Sequence, residues 1–304
     1  KFYMGIKFKI TLVSTCFLLT NCFNSNLNFD SDFMINIPNC NLIDYGQNIL
    51  PNTHQSEIYV IGHAYGKPGY GDFFPDRLTN FIKSNLDKSK KNYIALTGDF
   101  VRKPTLTNYK KVKSYIDNNF EGYFISIGNH EISNGDQTTG EGLENYFEFF
   151  DSDIFISEFN NFLLISANFS NNDWLPSLDQ KNKINRAIND TDKKYIIILS
   201  HQLFWILDAD LQIKPNSDQL LIPRDYNQSL YLNSLNWIEK SNEKYFIIIS
   251  GDYGAWGDKT YCKNLDNKLF IANGIGDTDN DTIIKLTDAS TYFLLEESQL
   301  STKK

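Results

Sequence analysis

Beyond about residue 55 the chain alternates two hydrophobic patterns. Short apolar runs recur at Glu57–Gly62, Tyr93–Gly98, Tyr123–Gly128, Ile154–Ser157, Phe162–Ala167, Tyr195–Ser200, Tyr245–Ser250, Leu269–Ala272, Thr282–Leu286 and Thr291–Leu295. Segments with apolar residues at helical spacing fall among them, at Pro75–Leu86, Asn108–Asn118, Leu143–Phe150, Asp179–Ile188 and Leu230–Lys240. Tyr-Ile-Ile-Ile-Leu and Tyr-Phe-Ile-Ile-Ile are continuous β-branched stretches, as strands buried on both faces should be. Alternating strands and helices predict parallel pairing with right-handed crossovers. The last strands have no helix between them and are expected to be antiparallel. No internal repeat and no linker divides the chain after residue 55, so a single α/β domain is expected over residues 56–304.

The first 55 residues read differently. Residues 23–55 are polar, Asn-rich and weakly periodic, and are expected to form a linker and lead-in. Ahead of them, Lys1, Lys7 and Lys9 flank the apolar stretch Ile10–Leu19, the pattern of a secretory signal peptide. Ten apolar-rich residues are too few for a transmembrane helix. Leu19-Thr20-Asn21-Cys22 resembles a bacterial lipobox, with Asn where a small residue is usual. Residues 1–22 are therefore expected to direct export to the periplasm or cell envelope, with membrane tethering through a lipid on Cys22 left open. Export would leave Cys40 and Cys262, which an oxidising compartment permits to pair. Sequence leaves that bridge and two free thiols equally open.

Composition narrows the function classes. The 304 residues are 41% hydrophobic and 14% aromatic, enough to fill a core and to exclude a disordered chain. Four cysteines are too few for a disulfide-stapled scaffold of this length. A net charge of -8, with no long Lys/Arg run, disfavours binding to a nucleic-acid backbone. It does not oppose a phosphorylated substrate, because a bound metal dominates its local field.

Five of the buried-looking strands end alike, in Gly or Ser followed at once by residues able to bind metal. These are Gly62-His63-Ala64-Tyr65, Gly98-Asp99, Gly128-Asn129-His130-Glu131, Ser200-His201 and Ser250-Gly251-Asp252. Ligands of open α/β sheets bind beyond the carboxyl ends of the strands. Parallel strands would bring His63, Asp99, Asn129, His130, His201 and Asp252 to one edge. Imidazole, carboxylate and amide donors suit Mn, Fe or Zn. Several of these residues also have a plainer reading, and a lone His63 after a strand would more often be structural. Asp99 could cap a following segment, Asp252 could simply shape a turn, and Arg102 could be a solvated side chain. His54 sits in a polar stretch and is expected to be idle. Asp277-Thr278-Asp279-Asn280-Asp281 lacks the central Gly and distal Glu of an EF-hand loop.

Leu-Thr-Gly-Asp-Phe at 96–100 and Ile-Gly-Asn-His-Glu at 127–131 resemble the Gly-Asp and Gly-Asn-His-Asp/Glu motifs of calcineurin-like metallophosphoesterases. Leu-Ser-His at 199–201 and Ser-Gly-Asp-Tyr-Gly at 250–254 fall where that family places its remaining ligands, so the resemblance runs over residues 57–295. It implies an αββα sandwich of mixed sheets with a metal site at the strand ends. It also implies two divalent ions bridged by Asp99, one completed by Asn129, His201 and Asp252, the other served by His63. By the same resemblance His130 protonates the leaving oxygen, or stabilises charge there, and Glu131 orients its ring. Tyr65 and Arg102 are candidate substrate or metal contacts. Two motifs depart from the family: His63-Ala64-Tyr65 stands for Asp-x-His, and Gly251-Asp252-Tyr253-Gly254 for Gly-His-x-His. A dinuclear site, a one-ion site and a site used only for binding stay open.

The leading expectation is a metallophosphoesterase, in which a hydroxide generated on the ions attacks a phosphomonoester or phosphodiester in line. Its substrate would be a phosphorylated small molecule or envelope component. The alternative is a non-catalytic or one-metal binding protein on the same fold, in an envelope glycan or lipid pathway. Loops 132–142, 169–178 and 203–227, with Trp174 and Trp205, are expected to shape the pocket. Oligomeric state is not legible.

Overall fold

The computed structural model describes residues 32–40, 55–66, 71–132, 141–170, 176–203, 243–253, 260–276 and 281–300. The expected signal and lipobox, His54, Trp174, Trp205, the helix at 230–240, Gly254 and residues 277–280 lie outside them. So does most of the loops 132–142 and 203–227. Among the described residues no helix is long and apolar enough to cross a membrane.

Strands β1 (Phe33–Asn36), β2 (Ser56–Ile61), β3 (Lys91–Thr97), β4 (Gly122–Ser126), β11 (Thr282–Asp288) and β12 (Phe293–Gln299) form one mixed sheet, ordered β1-β12-β11-β2-β3-β4. Strands β5 (Ile154–Glu158), β6 (Phe162–Ala167), β7 (Tyr195–Ser200), β8 (Tyr245–Ser250), β9 (Tyr261–Leu265) and β10 (Lys268–Ala272) form the second, ordered β5-β6-β7-β8-β10-β9. The helices among the described residues are α1 (Asp76–Asn85), α2 (Leu106–Asn119), α3 (Asn129–Ile132), α4 (Glu141–Phe147) and α5 (Leu178–Asp190). The fold is an αββα sandwich.

The continuous apolar runs follow from this layering, since a strand between a sheet and a helix is buried on both faces. Ile58 and Val60 of β2 meet Ile197 and Leu199 of β7 and Ile247 and Ile249 of β8 between the sheets. The alternate residues Tyr59 and Ile61 pack outward with Leu78 and Ile82 of α1 and Val112 of α2. Ile196 and Ile198 pack outward with Ile184 and Ile188 of α5. Local signals set the helix starts: the Thr105 side chain accepts from the Asn108 amide at α2, and Ser177 and Gln180 form a reciprocal capping box at α5.

Register positions the site. Strands β2, β3 and β4 are parallel, with Ile61 opposite Leu96 and Thr97 opposite Ser126. Strands β7, β8 and β10 are parallel, with Ser250 opposite both Ser200 and Ala272. Their carboxyl ends are therefore level within each sheet.

Three departures from the sequence expectation have simple causes. The stretch expected to be linker and lead-in contributes β1, an edge strand parallel to β12, with Phe33 stacked on Phe293 at 4.3 Å. Its partner lies at the other end of the chain, so no local pattern announces it. The segment 261–265 pairs antiparallel to β10 although it reads Tyr-Cys-Lys-Asn-Leu; as an edge strand it is only half-buried and needs little apolar content. Because β9 makes the return, β10 is parallel to β8, whereas β11 and β12, with no helix between them, pair antiparallel as expected.

Cys40 and Cys262 form a disulfide with Cα atoms 4.9 Å apart, tying the 3-10 turn Pro38–Cys40 to β9. The bridge spans 222 positions, and closing so long a loop restricts the unfolded chain. A Cys262→Ser chain is expected to lose about 2–4 kcal/mol. Urea unfolding should show native protein with reductant matching the variant without it.

Candidate metal centre

The carboxyl ends of β2, β3, β4, β7 and β8 converge where the two sheets meet. The turns there are tight. Gly98 has φ +79°, and a Cβ on it would stand 2.3 Å from Cγ of His201. Asp99 and His63 follow their strands with φ 51° and 48°. The left-handed region is uncommon for residues with a side chain, and such backbone concentrates at functional sites. The two turns hold each other: the His63 amide donates to the Gly98 carbonyl at 3.1 Å, and the Tyr65 amide to the Asp99 carbonyl at 3.2 Å.

His201 is fully buried, and its Nδ1 lies 3.1 Å from the Thr97 carbonyl oxygen. A carbonyl only accepts, so Nδ1 carries the hydrogen. Nε2 then faces three oxygens: Asn129 Oδ1 at 3.1 Å, Asp99 Oδ1 at 3.4 Å and Asp252 Oδ1 at 3.5 Å. A neutral imidazole would point a lone pair at three acceptors, which is unfavourable unless a proton or cation stands among them. Ligand atoms of Asp99, His201 and Asp252 all lie within 4.8 Å of one another, a spacing one divalent ion can span. His63 repeats the pattern on the other carboxylate oxygen. Its Nδ1 lies 3.2 Å from the Ile275 carbonyl, and its Nε2 lies 3.6 Å from Asp99 Oδ2. Asp99 thus faces two imidazoles with its two oxygens, one subsite having four donors and the other two.

The charges agree with these roles. Burial opposes a proton on His201, but the carboxylates of Asp99, Asp252 and Glu131 outweigh it and raise its pKa. Burial dominates at His63 and lowers it to about 4, so this ring is neutral near pH 7 and free to offer Nε2. Desolvation works against the Asp99 charge, but His201, His130 and His63 together depress its pKa.

His130 and Glu131 behave differently from the sequence expectation. His130 Nδ1 lies 2.9 Å from the Arg102 carbonyl, so a backbone acceptor fixes this ring, not Glu131. Glu131 is fully buried and spends both oxygens on backbone amides. Its Oε2 accepts from Asp99 at 2.8 Å and Gly128 at 2.7 Å, and its Oε1 from Phe100 at 2.8 Å and Val101 at 3.1 Å. Burial and the Asp99 carboxylate push this carboxyl up to about 7, while the amides pull the other way. Glu131 therefore holds the turn that carries Asp99. The α3 turn adds the His130 amide, which donates to Asp99 Oδ1 at 3.1 Å.

Tyr65 is buried between His63 and His130, with ring centroids 4.5 and 5.1 Å away, and its hydroxyl lies 3.3 Å from His130 Nε2. Burial, then Asp99, Glu131 and Asp252, raise the phenol's pKa, so it stays a hydroxyl. The Arg102 side chain is half-buried and near enough to Tyr65 to act against that shift. The structure thus brings together His63, Tyr65, Asp99, Arg102, Asn129, His130, Glu131, His201 and Asp252. Ile275 was not anticipated. It follows β10 in Asn273-Gly274-Ile275-Gly276, a sixth strand end rich in glycine, and acts through its carbonyl, which no side-chain motif encodes. Arg77 of α1 pins this segment by contacting the Gly276 carbonyl and Asp281.

No family model matches the chain, and no curated protein matches it in sequence. Among solved structures it is similar to PhoD, with a TM-score of 0.51 and 10% identity over 79% of this chain and 65% of that one. It is also similar to the sulfate thiohydrolase SoxB of Thermus thermophilus in complex with glycerol, with a TM-score of 0.46 and 8% identity over 83% of this chain and 58% of that one. The chain spans less than two thirds of the length of either. The likeness to PhoD shows a shared fold.

Proposed function

We propose that the chain is a metal-dependent hydrolase of phosphoesters. The observation that carries this reading is the Asp99 carboxylate set between the Nε2 atoms of His201 and His63, each ring fixed by a carbonyl on its far nitrogen. Second acceptors that fix the tautomer are what metal-ligating imidazoles need. A divalent ion held there would supply Lewis acidity toward a phosphoryl oxygen and acidify a water. Asp99, Asn129, His201 and Asp252 would hold it, with His63 and Asp99 Oδ2 forming a second, poorer position. His130 presents Nε2 as the atom that holds and gives up the proton to the leaving oxygen. Arg102, half-buried and close to Tyr65, would be the cationic side chain that meets a phosphate. The motif resemblance supports the choice of phosphoester over other electrophiles. Export to an oxidising compartment belongs to the same reading and is supported by the Cys40–Cys262 bridge. A phosphorylated small molecule or envelope component fits that location, with tethering through Cys22 as one form.

The test is elemental analysis of purified protein, with phosphomonoesters and phosphodiesters assayed in added Mn²⁺. Asn129→Ala is expected to lose metal affinity by at least the ~10–100-fold that an outer hydrogen-bond partner costs. No retained metal and no turnover on any ester would sink the proposal. Metal retained without turnover would favour a binding protein instead.

Metal uptake is also expected to release protons. Below its raised pKa His201 carries a proton on Nε2 that an ion must displace. Release measured by calorimetry in buffers of different ionisation enthalpy should be larger near pH ~6 than near pH ~9.

A further inference from the structure

Both ring nitrogens of His130 are engaged. Nδ1 donates to the Arg102 carbonyl at 2.9 Å, which leaves Nε2 as an acceptor. The atom 3.3 Å from it is the Tyr65 hydroxyl. This hydroxyl is held by a ring packed edge-on against His130, with centroids 5.1 Å apart and planes 61° apart, and tilted against His63 on its other side. Tyr65 is 2% exposed and its amide is bonded to the Asp99 carbonyl, so neither its ring nor its backbone can swing away without disturbing the Asp99 turn. Arg102 and Tyr65 grip His130 from opposite sides.

We propose that Tyr65 is a positioning residue for His130, its hydroxyl donating to Nε2 and so fixing the orientation of the imidazole. The functional part of this inference rests on the hydrolase reading above. A hydroxyl both donates and accepts. It can donate to the Nε2 lone pair that Nδ1, bonded to the Arg102 carbonyl, leaves open. A phenyl ring cannot. The ring that serves the leaving group in the reading above is thereby held in place before a substrate arrives, and Tyr65 is not a metal ligand.

The experiment uses the full chain, zinc-loaded and ¹⁵N-labelled, as native protein and as Tyr65→Phe, which keeps the ring packing. Long-range ¹H–¹⁵N spectra report each imidazole nitrogen, with His130→Gln assigning the signals. Loss of the hydroxyl is expected to move the Nε2 resonance of His130 and leave those of His54, His63 and His201 in place. Metal content should be unchanged. For esters with alkyl leaving groups kcat should fall roughly tenfold with KM little changed, the size of one lost hydrogen bond. The loss should shrink as the leaving group becomes more acidic. An unmoved His130 spectrum overturns the contact, and a fall in metal content overturns it by making Tyr65 a ligand. An equal kcat loss for nitrophenyl and alkyl esters overturns the positioning role. The spectra report the contact whether or not any ester is turned over, so this inference and the hydrolase reading fail separately.

Discussion

Asp99→Asn is expected to abolish metal retention and to lower any phosphoester hydrolysis on the order of 10³-fold, the several kcal/mol of charge stabilisation a metal supplies. The position faces both imidazoles, with Oδ1 at 3.4 Å from His201 Nε2 and Oδ2 at 3.6 Å from His63 Nε2. An amide offers one neutral oxygen in place of two charged ones. Its NH₂ would point hydrogens at a position meant for a cation. The substitution isolates charge from backbone, because Asn tolerates the left-handed φ of 51° that Asp99 adopts. Thermal melting should therefore stay cooperative while elemental analysis finds no divalent ion. A variant that keeps its native metal content would show that Asp99 is not a ligand and that the two imidazoles face it for structural reasons alone.

The sequence disclosed most of this site because its side chains sit directly after buried strands. Level strand ends turn adjacency in sequence into adjacency in space, so Gly98-Asp99 and Gly128-Asn129-His130 could be placed together before any contact was known. What escaped was carried by the backbone. The carbonyls of Thr97, Ile275 and Arg102 each fix one histidine ring, and any residue type could supply them. The role of Glu131 escaped for a related reason. Standing beside His130, it reads as the partner of that ring, yet the short α3 turn sends the two side chains to different neighbours. β1 and β9 escaped because edge strands need little apolar content and their partners come from distant sequence.

Glu131→Gln separates those two readings most sharply. If Glu131 oriented the His130 ring, the amide would impair turnover and spare stability. The structure gives the opposite emphasis. Four amides, those of Asp99, Phe100, Val101 and Gly128, converge on the two carboxylate oxygens in a fully buried place. Glutamine keeps the shape, but its NH₂ must face two of these N–H groups, leaving buried donors opposed by a donor. Leaving each such donor unsatisfied costs about 1–3 kcal/mol, so a total of roughly 2–6 kcal/mol is expected for two. In a chain of this size that corresponds to a melting temperature lower by on the order of 10 °C. Metal affinity should fall with it, by ~10–100-fold, because the turn that these amides anchor carries Asp99. His130→Gln should show the converse, with melting and metal content near native and turnover reduced. Differential scanning calorimetry of both variants, each with and without zinc, decides the matter. A Glu131→Gln chain that melts with the native protein would return Glu131 to the role of a partner for His130.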